Sequence, residues 1–464
     1  MKKINILDIY HNKINFNKDI IISGWVRSCR NSKLGISFLQ IYDGSCFHSI
    51  QVIIKKNIIK NYKKKILKLN VGCSIIVHGI LIKSIGKKQL FEILSNKIYI
   101  IGLVNNPNKY PISPKKHTLK YLRIYSHLRP RTNIIGVVTR IRNILFKKIH
   151  SFLFKLGYYW IPTPIITCLN AEGGGDMFNV FFNKYHKKNN KKLYKKNDFF
   201  GKKTYLTVSG QLTLESYACS LSKVYSFGPV FRAENSNTRR HLAEFWMLEV
   251  EKSFSNLYDI IILSEKFIKF LIKVVLKKCC YELDFLKSNI DLDIYNRLNK
   301  ILLKKFIIIS YDEAVKILLN KKIIINNNKS KFINITSDQE KYLVNNYFKF
   351  PIFIINSPKE IKSFYMRINK DKKTVASVDL LVPGTGEILG GSEREERLNK
   401  LDKSISFFNL KIEDYYWYRD LRKYGTVPHS GFGIGFERLI SYITGIKNVK
   451  DIIPFPRTVN NINF

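Results

Sequence analysis

Phe231-Arg232-Ala233-Glu234-Asn235-Ser236-Asn237-Thr238-Arg239-Arg240-His241-Leu242-Ala243-Glu244-Phe245-Trp246-Met247-Leu248-Glu249 reads as two strands joined by a charged loop. The first strand begins near Tyr225 and the second runs from Ala243 to about Val250. Strand alternation places Arg232 and Glu234 on one face and Phe231 and Ala233 on the other. On the return strand Phe245, Met247 and Glu249 share a face, while Trp246, Leu248 and Val250 form a plain core face. A face that mixes a cation, carboxylates and an aromatic ring is one a core avoids. Arg239, Arg240 and His241 lie in the loop above it. Guanidinium forks match phosphate oxygens, so a basic loop over a polar sheet face suits a bound polyphosphate. A solvated hairpin with surface charges is the competing reading of any single Arg-rich turn.

Outward from this hairpin, the chain has 464 residues, enough for two or three domains. Lys+Arg number 79 against Asp+Glu 35, a formal net charge of +44. Such a balance points to a polyanion such as nucleic acid. The lysines are spread along the whole chain, which weakens that inference. The Cys count is 7, with no CxxC pair, so neither a disulfide framework nor a zinc site is indicated. The start, Met1-Lys2-Lys3-Ile4-Asn5, leads into polar residues with no apolar secretory core, and no apolar run is long enough to span a bilayer. A cytoplasmic protein is expected.

Residues 20–103 read as five short strands with turns, Asp43-Gly44 among them, and fit a small closed barrel of the OB type. Such barrels bind single-stranded nucleic acid through aromatic stacking and basic residues. Pro107, Pro111, Pro114 and Pro130 mark a linker. Val137, Ile141, Ile144, Leu145, Ile149, Phe152, Leu153 and Leu156 then recur at helical spacing, with Gly157 suited to the C-cap. Trp160-Ile161-Pro162-Thr163-Pro164 follows as a Pro-bearing strand. The stretch 184–203, rich in Lys and Asn, reads as an insertion. Near the end, His429-Ser430-Gly431-Phe432-Gly433-Ile434-Gly435-Phe436-Glu437-Arg438 is a glycine-alternating strand that lets a flat ligand approach backbone. The helix that follows starts near Glu437, so Arg438 stands at its positive N-terminus. No P-loop is present.

Taken in order, these three stretches resemble motifs 1, 2 and 3 of the class II aminoacyl-tRNA synthetases, and the full hairpin string looks like the aspartyl/asparaginyl subgroup. The resemblance implies an α+β chain with an N-terminal all-β barrel: an OB-fold anticodon-binding domain over 1–104, a linker over 105–133, and a catalytic domain over 134–464. The catalytic domain is expected to be an antiparallel sheet flanked by helices, with insertions at about 184–203 and 257–350. It also implies a reaction in which ATP and L-asparagine give an aminoacyl-adenylate and pyrophosphate, followed by transfer to tRNA(Asn). An aspartyl-type enzyme and a non-catalytic tRNA-binding paralogue are the alternatives. Leu214 stands where aspartyl enzymes place a Lys, and Arg232, Glu387 and Arg438 are all retained.

By matched position, Arg232 is expected on the α-phosphate and Arg240 and His241 on the outer phosphates. Phe245 and Arg438 are expected to sandwich adenine, with Glu234 and Gly435 completing the ATP site. Glu387 is the implied ligand of Mg2+. Gly390 stands where aspartyl enzymes have a second metal-holding Ser, leaving Ser392 or a water for that role. Glu172, Ser209 and Gln211 are implied for the amino acid's ammonium end. Arg394 is expected on its side-chain carbonyl and Glu215 on its amide, with Glu393 adding negative charge beside Arg394. Glu395, Glu396 and Arg397 are read as a solvated salt-bridge network. On the barrel, Phe38 is expected under a stacked anticodon base, with Arg30 and Gln51 beside it. The helix over 137–156 and the Pro164 strand are expected to form a homodimer interface.

Overall fold

The computed structural model describes residues 3–86, 89–171, 176–181, 199–323 and 333–464. The chain divides into two compact units, Met1–Val137 and Val138–Phe464.

In the first unit, α1 (Ile6–Tyr10) precedes five strands: β1 (Asp19–Asn31), β2 (Ile36–Tyr42), β3 (Ile50–Lys55), β4 (Ser74–Lys83) and β5 (Phe91–Gly102). A short helix, α2 (Tyr62–Lys65), joins β3 to β4. The strands close into a barrel in the order β1-β2-β3-β5-β4. Closure leaves no free edge, and alternation does the rest. In β2, Ser37, Leu39 and Ile41 are buried while Ile36, Phe38, Gln40 and Tyr42 face outward. The core is aliphatic, built from residues such as Ile22, Leu39, Val52, Val77 and Ile93. The segment read as a linker contains α3 (Leu119–Ile124), capped by the Thr118 side chain.

α4 (Asn133–Lys155) carries the chain into the second unit and starts four residues earlier than the apolar pattern indicated. Gly157 ends it with φ of 78°. Tyr158 N–H donates to Leu153 and Gly157 N–H to Phe154, a paired closure that satisfies the last carbonyls. After β6 (Tyr159–Trp160), a small sheet is built from β7 (Ile166–Thr167), β8 (Asn179–Val180) and β9 (Thr204–Leu206). Then come α5 (Gln211–Leu221), β10 (Lys223–Phe231), β11 (Glu244–Ser253), α6 (Leu257–Lys278), α7 (Cys280–Asn289), α8 (Ile294–Leu303), β12 (Ile307–Ser310) and α9 (Tyr311–Asn320). The chain continues with α10 (Ser337–Tyr342), β13 (Ile352–Ile355), β14 (Ser377–Val382), β15 (Gly386–Glu393), α11 (Leu398–Phe407), α12 (Tyr416–Lys423), β16 (His429–Gly435) and α13 (Phe436–Thr444).

Eight strands form one sheet in the order β12-β13-β14-β15-β16-β11-β10-β6. Its six central strands are antiparallel, as expected, but both edge pairs are parallel, β6 with β10 and β12 with β13. Parallel neighbours need a long crossover, and α9 and α10 lie between β12 and β13. The region 257–350 is therefore more than a helical insertion, because β12 completes the sheet edge. Most of the 184–203 insertion lies outside the described residues. No described helix is long and apolar enough to cross a membrane.

Candidate active site

The sheet's central strands line a cavity of about 430 Å3. The antiparallel pair β10–β11 aligns Phe231 with Glu244 and Val230 with Phe245. This register puts Phe245, Met247, Glu249 and Glu251 on the cavity face of β11, the face the sequence marked as too polar for a core. From β16, Gly433 lines the same cavity. A Cβ there would sit 3.4 Å from the Met247 sulfur, so the bare backbone keeps the floor open. Gly431 has a different reason: its Cβ would strike the Val250 carbonyl at 2.3 Å.

At one end the cavity is cationic. Arg232, Arg240, His241 and Arg438 all line it, with Glu234 and Gly435 at the same end. The Arg232 guanidinium lies 5.6 Å from the centre of the Phe245 ring. Arg240 donates from NH2 to the Glu387 carbonyl at 3.3 Å, and its NH1 lies 3.6 Å from Glu340 Oε2. His241 Nδ1 pairs with the Thr238 hydroxyl at 2.7 Å. Burial and the neighbouring Arg438 keep His241 below the usual imidazole range. Arg438 donates to Glu387 Oε2 at 3.3 Å. Burial acts to raise the Glu387 carboxyl, but Arg438, Lys362, Arg240 and Arg232 outweigh it and hold it below its ordinary value.

A second carboxylate faces Glu387. A Cβ on Gly390 would stand 3.5 Å from Asp379 Oδ1 and 3.6 Å from Glu387 Oε1. Both acids thus border the gap that the glycine leaves. Lys362, which also lines the cavity, pairs with Asp379. Ser392 is not available there. It is fully buried, and its Oγ accepts from Arg394 NH1 at 2.5 Å.

At the other end Arg394 is almost fully buried. It grips Glu251 through Nε and NH2 and lies 5.3 Å from the centre of the Tyr365 ring. Glu249, also buried, accepts from the Ser209 hydroxyl, from Gly210 N–H at 3.0 Å and from the Ser226 hydroxyl at 3.0 Å. Burial pushes Glu249 up against those donors, and pushes Glu251 up to about 7 despite Arg394. Ser209 and Gln211 line this end.

Three sequence expectations change here. Glu215 does not line the cavity. It is fully buried behind Arg394, with its Oε1 3.9 Å from Arg394 Nε. Its oxygens are committed to Tyr418, Arg422 and His429 at 2.8–2.9 Å and to Gln211 at 3.2 Å. Burial would raise its pKa, but Arg422, His429 and Arg394 hold it well below the usual carboxylate range. With its lone pairs spent, it has none to offer a ligand amide. Glu393 likewise points away: it accepts from Leu257 N–H at 2.8 Å and lies 3.5 Å from Arg367, so it does not face Arg394's grip. Glu395 and Arg397 pair at 2.6 Å and Glu396 pairs with Arg367 at 3.2 Å, one linked network, though Glu395 is fully buried and not solvated. Glu172 lies outside the described residues.

Sequence reading put Glu249 on the polar face of the hairpin without giving it a role, and missed Asp379, Lys362, Glu251 and Glu340. Asp379 left a trace, a lone acid in the apolar strand Ser377–Val382. Glu340 left none. On the barrel, Arg30 stands opposite Phe38, and Gln40 opposite Gln51, so the four share one outward face. Phe38 is half-buried and outside the barrel core. Gln51 donates to Glu92 at 2.9 Å.

Residues 119–459 match the family described as tRNA synthetases class II (D, K and N), and residues 20–101 match the OB-fold nucleic acid binding domain. The chain is 58% identical over 469 residues to an asparagine–tRNA ligase of Buchnera aphidicola subsp. Baizongia pistaciae, covering 100% of both chains. It is 48% identical over 467 residues to the asparagine–tRNA ligase of Escherichia coli O157:H7, again covering 100% of both. Its fold is similar to that of the asparaginyl-tRNA synthetase from Pyrococcus horikoshii complexed with asparaginyl-adenylate. There the TM-score is 0.87 at 31% identity, over 100% of this chain and 99% of that one. The Entamoeba histolytica asparaginyl-tRNA synthetase in complex with asparaginyl-adenylate matches with a TM-score of 0.83 at 25% identity, over 99% of each.

Proposed function

Because the chain belongs to the asparagine–tRNA ligases, within the class II synthetases of the aspartate, lysine and asparagine group, its reaction is the ATP-dependent charging of tRNA(Asn), and we propose how its own residues carry that reaction. The observation that supports the assignment of roles is the single cavity that joins Arg232, Glu387 and Arg438 at one end to Arg394 and Glu249 at the other.

The cationic end takes ATP. Adenine lies between Phe245 and Arg438, Arg232 meets the α-phosphate, and Arg240 and His241 meet the outer phosphates. In the first step an asparagine carboxylate oxygen attacks the α-phosphorus, and the bond to the bridging oxygen breaks. Negative charge builds on the phosphate oxygens and the departing pyrophosphate. Fixed guanidinium groups aimed at that charge stabilise the transition state without reorganising. Holding both reactants in line supplies much of the remaining acceleration. In the second step a hydroxyl of the tRNA's terminal ribose attacks the acyl carbon and releases AMP.

Asp379 and Glu387 would hold Mg2+, a hard cation that takes oxygen ligands and keeps several waters. Asp379 thus fills the role that neither Gly390 nor Ser392 supplies. When bound, the ion neutralises phosphate charge.

Asparagine and aspartate differ only in an NH2 against an anionic oxygen, so polar pairing separates them. Arg394 donates to the side-chain carbonyl. Glu249 faces the cavity, fixed by three donors, and takes the amide N–H. A carboxylate in that position meets repulsion, so one residue supplies both attraction and rejection. Glu215 acts from behind, as a counter-ion for Arg394 and Arg422. Glu172, Ser209 and Gln211 surround the ammonium.

On the barrel, Phe38 stacks on an anticodon base, with Arg30 and Gln51 beside it. The enzyme works as a homodimer through α4 and the segment bearing Pro164, which joins β6 to β7 and is not the strand the sequence suggested. Phe146 and Phe154 on α4, Trp160, and Ile165 and Ile166 are all exposed there, an apolar surface that favours a partner.

Purified protein should exchange labelled pyrophosphate into ATP when asparagine is supplied and not when aspartate is. Exchange that ignores asparagine, or proceeds equally with aspartate, would overturn the roles of Arg394 and Glu249.

A further inference from the structure

Arg240 sits in an uncomfortable place. Burial and the nearby Arg438 both work against its charge. Arg232 lines the same pocket, and Glu387 is the lining carboxylate whose charge favours Arg240. The group that answers Arg240 comes from far away in sequence. Glu340 lies on α10, between β12 and β13, within the stretch 257–350 to which sequence reading gave no chemistry.

The segment is firmly delivered. Thr336 and Gln339 close a reciprocal cap at the start of α10. Leu343 and Val344, just beyond it, are fully buried in a core shared with β13 and β14. The Asn345 side chain accepts from Gly384 N–H at 2.7 Å, which ties the segment to the turn between β14 and β15. At that turn Gly386 leaves room for Arg240: its Cβ would stand 3.4 Å from the guanidinium.

The contact itself is loose. Arg240 NH1 and Glu340 Oε2 are 3.6 Å apart, close enough to attract and too far for a good hydrogen bond. Arg240 Nε, Arg240 NH1 and Glu340 Oε2 are all buried without a hydrogen-bond partner among the described residues. Glu340 does not itself line the cavity, while Arg240 does. A guanidinium held by charge, with donors still unspent, is ready to close on an incoming anion.

We propose that Glu340 is a positioning residue for Arg240: it restrains the guanidinium at the mouth of the phosphate site and leaves its donors for the outer phosphates of ATP. This rests on the reading of Arg240 given above. It makes α10 a working part of the ATP site, and it predicts that Glu340 acts only through Arg240.

A double-mutant cycle tests this, reading pyrophosphate exchange with the full-length enzyme. Glu340→Gln keeps the shape and removes the charge. It is expected to raise the KM for ATP roughly three- to thirtyfold, inside the range for coupled neighbours, with the KM for asparagine and the thermal midpoint unchanged. Arg240→Ala is expected to raise the ATP KM at least as much. The double variant should match Arg240→Ala to within about twofold. If Arg240→Ala raises the ATP KM but Glu340→Gln does not, or if the two effects simply multiply, the proposal is overturned while the ATP site stands. If Arg240→Ala leaves the ATP KM unchanged, the phosphate role of Arg240 falls, and this proposal with it.

Discussion

Arg232 and Arg438 arrive in the cavity from different elements, and each approaches the same charged end. Truncating either one removes a group aimed at developing charge, which typically costs about two to three powers of ten in rate. Arg232→Ala and Arg438→Ala should therefore abolish most pyrophosphate exchange while circular dichroism stays unchanged. Near-normal exchange in either variant would remove that residue from the reaction. The buried acids carry a sharper contrast. Glu249 faces the cavity and Glu215 does not, so their Gln variants should differ in kind. A hydrogen bond to a charged group is worth about 1.5–3 kcal/mol, so Glu249→Gln should lower kcat/KM for asparagine roughly ten- to a hundredfold. It should also narrow the preference over aspartate. Glu215→Gln leaves Arg394 and Arg422 short of a counter-ion and should lower the thermal midpoint, with the preference kept. A collapse of the preference in Glu215→Gln alone would reverse the two roles.

At the scale of elements, what was legible in the sequence was local. The hairpin 231–249, the glycine-alternating strand and the Gly157 helix stop each carry their signal within about twenty residues. The cavity's remaining groups are assembled across long separations. Arg394 and Glu251 are 143 residues apart, and Glu215 and His429 are 214 apart. No local pattern records such a pairing. That is why the sequence points Glu215 at the cavity although Tyr418, Arg422, His429 and Gln211 claim it, and why it does not reveal Asp379 or Glu340. The parallel edge strands were missed for the same reason, since strand order depends on crossovers and not on composition. Two elements carry predictions of their own. Phe38 stands on the outward face of β2, where a stacked base is worth roughly 1–3 kcal/mol. Phe38→Ala should weaken tRNA charging and spare asparagine activation; a fall in both would make Phe38 structural. The exposed apolar residues of α4 and the following strand should be covered in a dimer. Light scattering at micromolar concentration should show twice the mass of 54.4 kDa. A fully active monomer would contradict the interface.

At the scale of the whole molecule, one unit is a closed barrel and the other a sheet-floored cavity, and the charge is spread over both. With 79 Lys and Arg against 35 acids, the surface attracts any polyanion. Non-specific attraction of this kind weakens steeply with salt, whereas selection of the cognate tRNA and amino acid rests on the named contacts. Raising the salt should therefore lower affinity for all tRNAs more than it lowers discrimination among them. The central claim is that this chain joins asparagine, and not aspartate, to tRNA(Asn). The most direct test is attachment of labelled amino acid to a tRNA(Asn) transcript in the presence of ATP. The account predicts stable attachment of asparagine, with AMP and pyrophosphate released, and essentially none of aspartate. No attachment of asparagine, or equal attachment of aspartate, would contradict it.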